Sequence, residues 1–274
     1  DALIAAGVAR VVAACGDPFP QVDGRGLDAL RAAGIAVEVG LMEAAARALN
    51  RGFFSRLERG RPWLRVKLAM SLDGRTALPD GESKWITSEP ARRDVQHWRA
   101  RARARRTASG TVLSDNPRLT VRLGDDTPFV APLRVVLDVG LATPARAHVL
   151  DDEAPTLFVH APDVKSSKEF LARDRLAVTE THGRLDLDAV LQELARRGIN
   201  EVQVEAGATL AGALLQARRV DELLLYIAPV LLGERGRPLF DGLGIDAMAQ
   251  RLRLRTVDVR RIGDDMRLLL RPEV

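Results

Sequence analysis

A single cysteine, Cys15, stands among 274 residues, so no disulfide can form within the chain and a thiolate metal site would need ligands of other kinds. Cys15 follows the apolar run Val11-Val12-Ala13-Ala14, which predicts a buried, inert thiol. Histidine is nearly as scarce. His97, His148, His160 and His182 lie far apart and none sits in an H-x-E or H-E-x-x-H spacing, so no zinc-binding pattern is present. Aromatic residues make up only 4% of the chain, and none interleaves with the arginines that follow Trp98; this removes the stacking platforms on which single-stranded nucleic acid is held. No apolar stretch approaches the roughly 20 residues of a membrane-spanning helix, and no basic-then-apolar leader opens the sequence. The expectation is a cytoplasmic protein that engages neither membrane nor nucleic acid. The sequence opens on Asp1 rather than methionine, which reads as a fragment or as a chain missing its front. No G-x-S-x-G elbow supports Ser-His-Asp chemistry, and the absence of a Lys-Ser/Thr pair after the glycines excludes a P-loop.

What is present is ordinary for a folded α/β protein. With 46% hydrophobic and 28% charged residues, the chain can bury one large core, alone or with a smaller piece. The formal charge of +4 is small and local. Seven arginines fall between Arg92 and Arg106, and Arg99, Arg101, Arg103 and Arg105 alternate with alanine, a period of two that would align them on a strand and scatter them around a helix. The run reads as a solvated helix flank followed by an irregular segment, with a phosphate-bearing small ligand as the alternative.

Hydrophobic periodicity predicts strands at 8–14 and 35–41, helices at 27–33 and 42–50, and a charged linker at 55–62, placing a domain boundary near residue 58. Beyond it, strands are expected at 64–70, 133–137, 156–159 and 202–204. Helices are expected from Ser88, an N-cap with Pro90 in the first turn, and at 185–197 and 209–217. The tail, at 223–227, 252–259 and 266–270, is strand-rich. The pattern implies a mixed sheet, parallel at its centre and antiparallel at one edge.

Four stretches invite a chemical reading. Gly242-Leu243-Gly244-Ile245-Asp246-Ala247 has dinucleotide-fingerprint spacing, but no clear strand feeds it, so it reads as a loop. Glu205-Ala206-Gly207-Ala208-Thr209-Leu210-Ala211-Gly212 follows an apolar strand and opens a helix. Its small residues either present backbone N–H groups to an anion such as a pyrophosphate or simply ease strand-to-helix packing. Two polar blocks remain: Lys67-Leu68-Ala69-Met70-Ser71-Leu72-Asp73-Gly74-Arg75-Thr76 with Ser83-Lys84-Trp85-Ile86-Thr87-Ser88, and Ser109-Gly110-Thr111-Val112-Leu113-Ser114-Asp115-Asn116-Pro117-Arg118-Leu119-Thr120-Val121-Arg122.

These blocks, with the segment at 205–212 and Val220-Asp221-Glu222-Leu223, closely resemble the reductase domain of the bifunctional riboflavin-biosynthesis deaminase/reductase family. The resemblance covers residues 62–274, while residues 1–54, with Asp17-Pro18 and Gly24-Arg25-Gly26, resemble the final third of the fused deaminase domain. The organisation expected is therefore a deaminase-like remnant over 1–58 and a reductase domain over 59–274. The family's zinc-binding elements would lie upstream of Asp1, so neither zinc nor deaminase activity is expected from this chain.

The resemblance implies a dihydrofolate-reductase-like mixed sheet, NADPH as hydride donor, a phosphoribosylamino-pyrimidine as substrate and a homo-oligomer, dimer or tetramer. It implies substrate contacts at Ser83, Arg99, Leu119, Arg122 and Glu205. Cofactor contacts are implied at Ala69, Trp85, Thr111, Asp115, Gly207, Ala208, Thr209, Leu210, Ala211, Gly212 and Ala213. Lys67 and Glu205 are the expected catalytic pair, with a purely structural Lys67 to Glu205 ion pair as the alternative. An ammonium on an otherwise apolar strand requires a carboxylate or ligand partner, and a guanidinium fork at Arg99 or Arg122 suits a sugar phosphate. The sequence departs from the family at 101–106, where arginines replace a mostly apolar strand, and at Val139, where some relatives have a cofactor-touching serine. A folate-type reductase or a non-catalytic nucleotide-binding module of the same fold are the rival readings, and the Arg99 and Arg122 pair argues against the former because folate lacks a sugar phosphate.

Overall fold

The computed structural model describes residues 1–102, 104–108, 110, 112–113, 116–123, 128–165 and 167–273, and within 104–108 the side chains of Ala104 and Thr107. The first strands, β1 (Arg10–Ala13) and β2 (Ala36–Val39), pair in parallel around α2 (Arg25–Ala32), preceded by the short α1 (Ala2–Ala5). Gly34 at φ 78° ends the α2 turn, as its position after the periodic residues predicts. The two-stranded sheet is too narrow to enclose its apolar residues: Val12 is 42% and Val39 45% exposed. Cys15, expected to be buried, is accordingly only half-buried.

α3 (Glu43–Leu49) leads directly into α4 (Arg51–Arg59). The linker expected at 55–62 is therefore corrected: its first half completes α4, whose Phe54 and Ser55 are buried. The charges that mark it as solvated are in fact turned to use. Arg59 and Arg61 both reach Asp221, at 2.8 and 2.6 Å, and Gly60 at φ 64° closes the helix.

Among the described residues, nine strands form the main sheet in the order β14-β15-β12-β3-β11-β5-β6-β7-β8. Seven run parallel: β3 (Trp63–Ser71), β5 (Ala104–Ala108), β6 (Leu133–Leu137), β7 (Thr156–His160), β8 (Asp174–Ala177), β11 (Glu201–Val204) and β12 (Glu222–Ala228). β14 (Leu254–Ile262) and β15 (Asp265–Pro272) add an antiparallel edge. The expected mixed sheet, parallel in the centre, is present. β4 (Arg75–Ala77) pairs with β13 (Arg237–Pro238), and β9 (Glu180–Thr181) with β10 (Arg184–Leu185), as small ribbons.

Alternation sorts the central strands into two faces. Leu64, Val66, Leu68, Val202, Val204, Leu223 and Leu225 join Val190, Leu191 and Leu194 of α7 (Leu187–Arg196) and Ala211, Leu214 and Leu215 of α8 (Ala208–Gln216) in the main core. The short α6 (Lys168–Leu171) buries Phe170 edge-on against Phe158 on the other side. The opposite face of the central strands carries Arg65, Lys67, Gln203 and Glu222 beneath α5 (Glu89–Arg101), which packs Ala91 and Val95 on Leu224, Tyr226 and Leu269. Ser88 caps α5 as predicted, and Asp265 accepts from both its N–H and its hydroxyl, at 2.8 and 2.9 Å.

The irregular segment expected after Arg101 is also corrected. α5 runs through Arg101 and β5 begins at Ala104, between β11 and β6. Parallel ladders on both edges satisfy its backbone, and that tertiary pairing outweighs the low strand preference of so charged a segment.

Candidate active site

The chain leaves β3, passes over the later β11 to form β5, then returns to insert β11 between them. In such sheets the carboxyl ends of the strands flanking the reversal open a crevice for ligands. Glu205, just past the carboxyl end of β11, belongs to this place, and Lys67 lies beside it in the middle of β3. Val204 pairs with Val66, so the next residues, Glu205 and Lys67, lie side by side on the face covered by α5.

Lys67 is packed between sheet and helix with a small residual exposed surface, and its ammonium lies 5.7 Å from the centre of the Tyr226 ring. Burial pushes its pKa down; the attraction of Glu205 opposes this and the nearby Arg99 adds to it. Glu205 is gripped by Arg99, whose Nε and Nη2 donate to Oε1 and Oε2 at 2.8 and 2.5 Å. Gln203 donates from Nε2 to the same Oε1 at 2.9 Å. The alternative of a direct Lys67 to Glu205 ion pair is not what forms: Arg99 makes the bidentate contact and Lys67 acts on Glu205 through space. Burial lowers the pKa of Arg99, but Glu205 outweighs it and holds the guanidinium above its ordinary value.

The floor of the site is fixed from two sides. Asp73 accepts from Leu232 N and Gly233 N, at 3.2 and 2.7 Å, and from Ser71 Oγ, tying the end of β3 to the loop after β12. The Ser71 hydroxyl, then these backbone donors, keep its carboxyl below the usual range. Tyr226 donates its hydroxyl to Asp94 at 2.5 Å and Arg267 binds the same carboxylate at 2.9 Å; burial, with Asp94, raises the Tyr226 pKa.

The other expected residues are spread around this centre. Ser83 accepts at its backbone carbonyl from Ile86 N. Trp85 is 69% exposed, with the Arg92 guanidinium 4.5 Å over its ring, so it is a surface residue available to a ligand rather than core. Ala69 is partly buried in the cluster under α5. Leu119, expected as a substrate contact, buries its side chain at 4% exposure in the cluster with Val136 and Phe158. Arg122 is exposed, and its N–H donates to Gln96 of α5, one turn before Arg99. It lines an open cleft of about 470 Å³ with Arg118, Val121, Phe129, Pro132 and Glu153. Thr111 and Asp115 lie outside the described residues.

At the start of α8 the small residues divide. Gly207 and Thr209 are exposed, Ala208, Leu210 and Ala213 half-buried, and Ala211 and Gly212 buried. The Asp241 carbonyl oxygen lies 1.9 Å from where a Cβ on Gly212 would sit, so that glycine admits a neighbouring loop rather than a ligand. The packing reading holds for the second turn, while the first turn faces outward. Gln203, Asp73 and Asp94 were missed by sequence reading, although polar residues alternating at 201, 203 and 205 mark one strand face. Among the described residues no group of three or more His, Cys, Asp and Glu is placed to hold a metal ion.

Comparison with known proteins places this geometry. The model of the RibD C-terminal domain matches residues 62–268. The riboflavin biosynthesis protein RibD of Escherichia coli is 45% identical over 98% of this chain and 76% of its own length. The structure of Acinetobacter baumannii RibD superposes with a TM-score of 0.90 at 40% identity, covering 100% of this chain and 75% of that one. A Thermotoga maritima diaminohydroxyphosphoribosylaminopyrimidine deaminase/5-amino-6-(5-phosphoribosylamino)uracil reductase gives 0.85 at 27% identity over 99% of this chain and 74% of that one.

Proposed function

The chain belongs to the RibD family of riboflavin biosynthesis, and from that premise we propose that it is a 5-amino-6-(5-phosphoribosylamino)uracil reductase using NADPH. The observation that carries the reading is the grouping of Lys67 of β3 and Arg99 of α5 around Glu205, just past the carboxyl end of β11, in a chain whose relatives of similar fold act in that pathway. The beginning of the family match at residue 62 supports dividing the chain near residue 58, with residues 1–58 assigned to a deaminase-like portion.

The residues fit the cofactor on chemical grounds. The first turn of α8 presents its free N–H groups beside the exposed Gly207 and Thr209, a donor set suited to a pyrophosphate. Thr107, buried on β5, has a hydroxyl without a hydrogen-bond partner among the described residues. Trp85 offers a flat exposed face, and Lys84 a positive charge for a 2′-phosphate. When bound, NADPH supplies a hydride to the sugar C1′.

The protein's part is then to open the sugar, hold it and manage one proton. Opening the ribosylamine breaks the C1′–O4′ bond and leaves C1′ doubly bonded to the amine nitrogen; the amine proton is the one O4′ gains. Hydride adds at C1′, and the nitrogen takes a proton from the protein or from water relayed through it. Lys67, its acidity raised by burial, is the donor we assign, and Glu205 orients and recharges it. Arg99, engaged with Glu205, is assigned to holding that carboxylate, which leaves Arg122, tied to α5 through Gln96, to anchor the 5′-phosphate. Incubation of the purified chain with NADPH and the deaminated pyrimidine should consume the cofactor and yield the ribitylamino product. An unchanged cofactor absorbance with intact substrate would overturn the reading, and equal kcat/KM for NADH would overturn the cofactor choice.

A further inference from the structure

Gln203 is fully buried on the central strand β11, a position where parallel sheets place aliphatic residues. Its Nε2 donates to Glu205 Oε1 at 2.9 Å, while its own Oε1 is buried without a hydrogen-bond partner among the described residues. A methionine or leucine would fill the same space with no orphaned acceptor, which is costly to bury. The amide is kept against that cost, and its hydrogen bond goes to Glu205. We propose that Gln203 is a positioning residue for the reduction: together with Arg99 it fixes the Glu205 carboxylate toward the reacting sugar carbon and its proton donor. The inference rests on the reading of Glu205 as part of the proton-handling machinery.

Arg99 reaches Glu205 across the face from α5 as a planar fork, which sets the plane of the carboxylate. Gln203 reaches it along the strand from two residues before, at the same Oε1, and restrains the remaining rotation of the side chain. The charged groups around Glu205 are Arg99 from α5 and Lys67 from β3. Glu201 stands further back on β11, held by Arg65 and Arg51 at 3.3 and 3.7 Å. Arg105 is the register partner of Gln203 on β5, its side chain outside those described, and Glu205 has interactions beyond these. All of them remain when Gln203 is replaced. Loss of one donor to the charged carboxylate then raises its pKa, and the limb of the kcat–pH profile that follows Glu205 moves to higher pH.

Gln203→Met removes the donor at nearly constant volume, and Gln203→Glu substitutes a like charge, which moves the same limb further in the same direction. Steady-state kinetics of Gln203→Met should show kcat lower by about tenfold, KM for the pyrimidine within about twofold and a displaced pH limb. Fluorescence titration should show unchanged NADPH binding. A wild-type kcat and pH profile in both variants, or a lower kcat with an unmoved limb that tracks the loss of folded protein, overturns the proposal. Glu205→Gln separates the two levels: if it too turns over normally, the reading of Glu205 has failed, whereas its collapse beside a normal Gln203→Met condemns only the role of Gln203.

Discussion

Lys67 is a residue the fold would be more stable without. Because burial holds its pKa below 10.5, the unfolded chain binds its proton more tightly, and the penalty on folding is full at pH values below the folded pKa. It fades only as pH rises from the folded value toward the unfolded one. Lys67→Met should therefore melt at higher temperature than the wild type at pH 7, with the gap closing toward pH 10, while turnover falls by about a hundredfold or more. A lower melting temperature at pH 7 would show that Lys67 is a structural partner of Glu205. Arg122 differs in kind, being exposed and bound to α5 through its backbone. Arg122→Ala should leave stability and NADPH binding alone and raise KM for the substrate by roughly tenfold to a hundredfold, the worth of one charge-assisted phosphate contact. Steady-state kinetics with the phosphorylated and dephosphorylated pyrimidine checks this, since the dephosphorylated substrate should not distinguish variant from wild type.

Among the elements, α8 has the least room to change. Its second turn lies against the loop carrying Asp241, whose N–H donates to Ala208 O at 3.3 Å and whose carbonyl occupies the space a Gly212 side chain would need. Gly212→Ala should cost about 1–3 kcal/mol, because backbone rather than a flexible side chain must move; urea denaturation measures it, and a midpoint equal to wild type would refute the packing argument. Gly207, with open space around it, should accept alanine with far smaller loss of stability. The contrast separates packing from ligand contact within one short segment that sequence alone left undivided.

At the scale of the whole molecule, α4, the central sheet and its antiparallel edge meet at one buried carboxylate. Glu222 has no exposed side-chain surface and binds Arg65 at 2.8 Å and Arg271 at 3.1 Å, with Arg51 of α4 at 3.6 Å. Burial pushes its pKa up, but Arg65 and Arg51 first, and the hydrogen bonds from Arg65 and Arg271, hold it below 4.5. A carboxylate so depressed contributes stability that is complete above its unfolded pKa and is lost as pH falls through the folded value. Glu222→Gln should destabilise the protein by about 1–3 kcal/mol at pH 7, since it removes the nearer carboxylate of the buried Arg65 and leaves it only Glu201, at 3.3 Å. Its stability should also fall less steeply than wild type below pH 4.5. Guanidinium melts across that range test both parts, and parallel curves for the two proteins would refute the linkage.

The sequence by itself determined the order and kind of most of the longer elements, the cap at Ser88, the mixed sheet and the family. These rest on periodicity, local backbone preference and long ordered motifs, which are properties of neighbouring residues. It misjudged the segments at 55–62 and 101–106, because charge density says where solvent is cheap but not where a helix or a strand finds partners. Only the tertiary structure decided which polar groups meet. Inserting β11 between β3 and β5 brings Glu205 beside Lys67 and under Arg99, a residue 106 positions away. Alternation told which face each side chain takes; strand order, set by how the whole chain buries its apolar faces, told which face it shares and with whom.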